Sequence, residues 1–195
     1  MIGHGVVDLG DSNARRKRAS ATAAGTPAPN EDAWEAAQEG AELLAEGLHE
    51  EAVVELERLI ASQPDSEYAY FFLGCAHFER GRYAKALPAY VKALELAPGY
   101  VGAMLHLGHT LRMLGRYEQA IRLGAHVLTL RGEDPDALYL LGACHFARGD
   151  EAAATAHLER FLATNPEVEA TNEAHGMLQV LRGEIVPAVS DEPPD

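Results

Sequence analysis

The sequence is poor in what most chemistry needs. It has two cysteines, Cys75 and Cys144, with no spacing that demands a disulfide. It has one tryptophan and few aromatics, so where they stand matters more than how many there are. No window approaches the roughly 18 uncharged apolar residues a membrane-crossing helix requires, so no membrane insertion is expected. The start, MIGHGVVDLGDSNARRKR, sets its basic cluster after a short apolar segment, the reverse of a secretory signal, and the default location is cytoplasmic. No glycine-rich phosphate loop, nucleophile elbow or paired-carboxylate signature is present, so an enzyme is not expected and no cofactor is implied.

Positive charge is also scarce. Sixteen Lys and Arg face thirty Asp and Glu, a formal charge of −14. Such a body repels phosphate backbones, which argues against nucleic acid as a partner. The basic residues cluster early, at Arg15, Arg16, Lys17 and Arg18, while residues 31–66 hold eleven acids against Arg58 alone. The run at 15–18 reads as a solubilising segment or as a partner, in cis or in trans, for an acidic face. Residues 1–30 (with SATAAGTPAPN) and 184–195 (ending IVPAVSDEPPD) lack any sustained period and read as disordered tails.

What the sequence does have is a repeat. Glycine recurs every 34 residues at Gly40, Gly74, Gly108, Gly142 and Gly176, and a second series runs in phase through Gly47, Gly81, Gly115, Gly149 and Gly183. Alanine follows at Ala52, Ala86, Ala120 and Ala154, and proline closes units at Pro64, Pro98 and Pro166. Apolar residues recur at three- and four-residue spacing on both sides of the second glycine, so each unit predicts two helices with a glycine turn. A mid-helix glycine costs about 1 kcal/mol against alanine, which is tolerable where the missing side chain lets a second helix approach. One such hairpin cannot bury its own faces, so neighbours must stack.

These residues resemble the tetratricopeptide repeat family, whose unit is 34 residues long. Residues 67–100 carry the pattern as Tyr70, Leu73, Gly74, His77, Ala86, Tyr90 and Pro98. Residues 101–134 keep Met104, Leu107, Gly108, Leu111 and Ala120 but have Gly124 and Gly132 where Tyr90 and Pro98 stand. Residues 135–168 show Leu138, Leu141, Gly142, His145, Ala154, Leu158 and Pro166, and 33–66 fit less well at their front, with Ala36 and Glu39. The resemblance implies an all-α, right-handed solenoid of four repeats over 31–183, with 167–183 as a capping helix, and a protein or peptide as partner.

In that family the first helix of each unit lines the inner surface. Tyr68, Phe71, Cys75 and Phe78 form a second apolar face on such a helix, and a helix apolar on both sides must be covered by something. The same register gives Leu105, His109 and Arg112, then Tyr139, Ala143 and Phe146, with Trp34 and Leu44 extending the stripe. The expected site is therefore an aromatic groove for an apolar or amphipathic partner segment; burial of these rings by neighbouring helices is the competing reading. Arg112 favours the groove, since a lone buried arginine is costly. Ala37 and Ala41 replace the lysines and asparagines with which some family members grip a carboxylate-ended chaperone tail. His106, His109 and Cys75 do not make up the three or four convergent ligands of a zinc site, and no metal is expected. YFFLGCAHFERGRY and LYLLGACHFARGD also resemble the central repeats of type III secretion translocator chaperones, although four full repeats exceed the usual three. Self-assembly into a homo-oligomer is the alternative of a different class.

Overall fold

The computed structural model describes residues 31–184. The two segments expected to be disordered tails, Arg15–Arg18 among them, lie outside the described residues apart from Glu184. The described residues are all helix and turn. In chain order the helices are α1 (Glu31–Ala45), α2 (His49–Ser62), α3 (Glu67–Glu79), α4 (Tyr83–Leu96), α5 (Val101–Met113), α6 (Tyr117–Arg131), α7 (Pro135–Arg148), α8 (Glu151–Ala163) and α9 (Val168–Leu181). They form tandem hairpins closed by a single helix. Contacts divide the chain into two compact units, one up to Thr110 and one from Leu111.

The two glycine series perform different tasks. Gly47, Gly81, Gly115, Gly149 and Gly183 all have positive φ, between 67° and 77°. Side chains disfavour that left-handed conformation and glycine does not, so the series supplies the hairpin turns. The mid-helix series supplies close approach. A Cβ on Gly40 would stand 2.5 Å from Leu56, one on Gly74 2.6 Å from the Tyr90 ring, and one on Gly142 2.7 Å from Leu158. In each hairpin the large residue sixteen positions later fills the vacancy. Tyr90, Leu56 and Leu158 are among the largest fully buried side chains, each worth roughly 1.5–3 kcal/mol of apolar burial, more than the glycine costs. Where position 124 is itself glycine, the space is taken instead by Leu141 of α7, 3.0 Å from a notional Cβ.

Helix starts follow the same alternation. α3 and α7 follow the loops between hairpins and are capped by side chains: Ser66 accepts from the Ala69 N–H at 3.3 Å and Asp134 from the Ala137 N–H at 3.1 Å. The second helices α2, α4, α6 and α8 start straight from the glycine turn with no side-chain cap. Pro88 stands inside α4 on an exposed position; its missing N–H leaves the Ala84 carbonyl without its helical donor.

Candidate functional site

The expected groove residues fall in both units, and each unit treats them differently. In the first unit, α3 carries a core side and an aromatic side. Gly74 and His77 are buried and Tyr70 and Leu73 half-buried. On the other side Tyr68, Phe71, Cys75 and Phe78 are all half-buried. Tyr68 meets Trp34 edge-on at 5.3 Å and Tyr100 at 5.5 Å. Phe71 has Tyr100 at 4.9 Å and His106 at 5.2 Å, and Phe78 has Tyr83 at 5.2 Å. These are the offset and edge-to-face distances at which rings attract. The aromatic stripe of this unit therefore packs largely against rings of its own chain, Tyr100 and His106 included, whose part was not visible in the stripe's register.

Beneath that cluster lies a small polar knot. The Tyr90 hydroxyl lies 3.4 Å from His106 Nδ1, and Tyr90 and the Cys75 thiol influence each other's ionisation. Burial raises the Tyr90 pKa and pushes the Cys75 thiol up to about 12. A thiol held protonated is a packing group rather than a nucleophile. Leu105 is buried, only 5% exposed, so its side chain lies in the core rather than on an open surface. His109 is half-buried.

In the second unit the equivalent face is open. Tyr139 and Phe146 on α7 line a cleft of about 350 Å³ with Glu173, Gly176, Met177 and Val180 of α9. The lining is almost wholly apolar. The four α9 residues escaped the sequence reading because that helix was assigned only a capping role. The Tyr139 hydroxyl donates a short hydrogen bond to Glu173. Burial first, and then this carboxylate, push the Tyr139 pKa up to about 12. Arg112 is half-buried, and its buried Nε has no hydrogen-bond partner. Ala143 and Cys144 are buried, and burial raises the Cys144 thiol to about 11.

Among the described residues no three His, Cys, Asp or Glu side chains converge to hold a metal. No described helix is long and apolar enough to cross a membrane. Exposed ion pairs link neighbouring segments: Glu50 meets Arg80 and Arg82, and Arg160 grips Glu133 through two bonds of 2.7 and 3.2 Å.

Stacked glycine-turn hairpins that offer side chains from their first helices define a class, the helical-repeat protein-interaction scaffolds. Three sequence models of the tetratricopeptide repeat family match, at residues 67–100, 89–122 and 111–179, together more than half of the chain. The chain belongs to the tetratricopeptide repeat family. Among curated proteins it is 30% identical over 119 residues to mouse Superkiller complex protein 3, a match covering 61% of this chain and 8% of that one. It is 28% identical over 119 residues to the Arabidopsis thaliana protein CTR9 homolog, covering 60% and 11%. The chain thus spans a small fraction of these relatives. Solved structures share the fold: MamA from Desulfovibrio magneticus RS-1, with a TM-score of 0.67 at 21% identity over 80% of this chain and 89% of that one, and YrrB, with 0.65 at 18% over 80% and 79%.

Proposed function

We propose that the protein is a non-enzymatic scaffold that receives an apolar or amphipathic segment of a partner polypeptide, with the cleft between α7 and α9 as its principal seat. One observation carries this reading: Tyr139, Phe146, Met177 and Val180 surround an open apolar space that no described side chain fills. Aromatic anchors in a pocket of this kind are what dominate peptide affinity. YrrB, which shares the fold, is described as a TPR protein with an unusual peptide-binding site. Tyr68, Phe71, Cys75 and Phe78 form a second, shallower surface, half-buried and backed by their own ring cluster; His109 and Arg112 add polar points, and Leu105 supports from below. The excess of acid speaks against nucleic acid, and two unpaired cysteines suit a reducing, cytoplasmic setting.

The test is capture from native lysate with full-length wild type and Phe146→Ala as baits, each melted in denaturant. A partner held by wild type and lost from a variant of near-normal stability supports the site; equal capture by both baits overturns it. A translocator-type chaperone would show a secreted, hydrophobic client in that capture. A self-assembling scaffold would show multimers of the purified chain alone by light scattering.

A further inference from the structure

The cleft between α7 and α9 is apolar but for one charged group. Tyr139 and Phe146 stand two helical turns apart on one side of α7, and Glu173, Gly176, Met177 and Val180 recur at three- and four-residue spacing on α9. Each helix therefore offers a single stripe. Glu173 answers Tyr139 across the cleft at the 34-residue step of the repeat, and Val180 stands at the same step from Phe146. The lining thus has two ends, about 10 Å apart along the helices. One, at Phe146 and Val180, is wholly apolar, and the other presents a carboxylate.

That carboxylate is oriented but not neutralised. The Tyr139 hydroxyl donates to Glu173 Oε2 from the opposite wall. Burial first, and Glu173 next, keep this phenol protonated, so it remains a donor and the charge stays on Glu173. Glu118, Glu133 and Glu159 of the same unit each meet an arginine. Glu173 has no ion pair among the described residues, and α9 carries no lysine or arginine. The charge of Arg112 reaches the Tyr139 hydroxyl only as the smallest influence on it, and it forms no ion pair with Glu173. An exposed ion pair gains little chiefly because two long side chains must be ordered to make it. Here one partner is already ordered, by a bond that spans the cleft, so less is lost when a cation arrives.

We propose that the segment this cleft receives is apolar with a lysine or arginine at one end. Its apolar side chains lie against Phe146, Met177 and Val180, and its cation meets Glu173. A space of about 350 Å³ is small for a ligand pocket, so it takes a few side chains rather than a whole helix. The chain's formal charge of −14 favours the approach of such a segment, and an acid in place of its cation would face like charge. This rests on the reading of the cleft as a seat for apolar segments and adds the charge of the occupant to it.

The probe is a phage-displayed library of random short peptides, selected in parallel on full-length wild type, Glu173→Gln and Phe146→Ala. Glu173→Gln keeps an oxygen for the Tyr139 hydroxyl and removes only the charge. Wild type should enrich apolar peptides with a lysine or arginine at one end, whereas Glu173→Gln should enrich the apolar pattern without the cation. A peptide from the wild-type selection is then synthesised, acetylated so that its side chain is the cation, and compared by anisotropy with a copy bearing glutamine there. On wild type the two should differ about three- to fivefold in Kd, the size of a well-placed exposed charge pair, and less as salt is raised. On Glu173→Gln they should bind alike. Equal Kd values on wild type, or a difference that persists on Glu173→Gln, overturn the proposal. So does a wild-type selection that enriches acidic peptides or none. If the enriched peptides are apolar, lack the cation and are lost on Phe146→Ala, only the role of Glu173 falls; if no enrichment depends on Phe146, the partner site falls too.

Discussion

In the first unit the apolar face of α3 is covered by Trp34, Tyr100 and His106, whereas in the second the matching face of α7 looks onto α9 and stays open. Both faces descend from the same repeat register. α3 packs closely on α1, through the Trp34–Tyr68 and Trp34–Phe72 ring pairs; α9 packs far more sparsely on α7. The reason is legible in α9 itself. It stands where a new hairpin would begin, but no second helix follows it among the described residues. Its inner positions carry Glu173, Gly176 and Met177, without an aromatic ring to meet Tyr139 and Phe146. Whether a first-helix face becomes core or groove is thus decided by its neighbours, not by its own pattern.

The sharpest way to break this comparison is to truncate one ring on each side of it. Tyr90→Ala removes a fully buried ring in the closed unit and should cost about 3–5 kcal/mol in a denaturant melt. Phe146→Ala lines an open cleft and should cost well under half as much. Equal losses would mean that the α7 face is core after all. Next in size is Gly142→Ala. Its Cβ would lie 2.7 Å from Leu158, and overpacking of this kind costs about 1–3 kcal/mol, only partly offset by alanine's better helix propensity. An unchanged melting temperature would contradict the close approach of α7 and α8.

Much of this architecture could be read from the repeat. The five turn glycines were predicted by spacing alone and all adopt positive φ, because a left-handed turn leaves few residue choices. Three of the mid-helix glycines, Gly40, Gly74 and Gly142, were equally legible, since a facing side chain justifies their cost. The site was less so. Tyr139 and Phe146 were picked out by register and do line the cleft, but register cannot show that Tyr100, in a loop, folds over Phe71 or that Leu105 is buried. Those outcomes depend on contacts between helices, which a single helix's periodicity does not encode. Arg112 was singled out as too costly to bury alone; it is half-buried, and its buried Nε has no hydrogen-bond partner.

Acid should separate the units further. Burial is the main cause lowering the pKa of both His77, in the first unit, and His157, in the second. His157 also stacks on His145 at 5.6 Å with the rings nearly parallel, and the neighbouring Arg160 adds repulsion. A histidine whose pKa is lower folded than unfolded binds more protons in the unfolded chain. Its stability contribution is therefore intact above the ordinary value near 6.5 and is lost as pH falls through it towards the folded value. Melts from pH 7.5 to 5 should show stability declining below about pH 6.5, and His157→Gln should flatten that decline more than His77→Gln, since it also ends a histidine–histidine contact. A slope indifferent to both changes would remove these side chains from the account.

The smallest effect has the opposite sign and tests the comparison most directly. Gly176 belongs to the same series as Gly142, yet a Cβ there meets nothing within 4 Å. With no following helix to press against it among the described residues, its glycine has lost the task the others perform. Gly176→Ala should therefore gain helix propensity without any clash and stabilise the protein by up to about 1 kcal/mol. Gly142→Ala, one repeat earlier, should destabilise. Opposite signs from one substitution at two positions of the same register require that α8 is pressed on α7 while the inner face of α9 is free. Should Gly176→Ala destabilise instead, something already lies against α9 at that position.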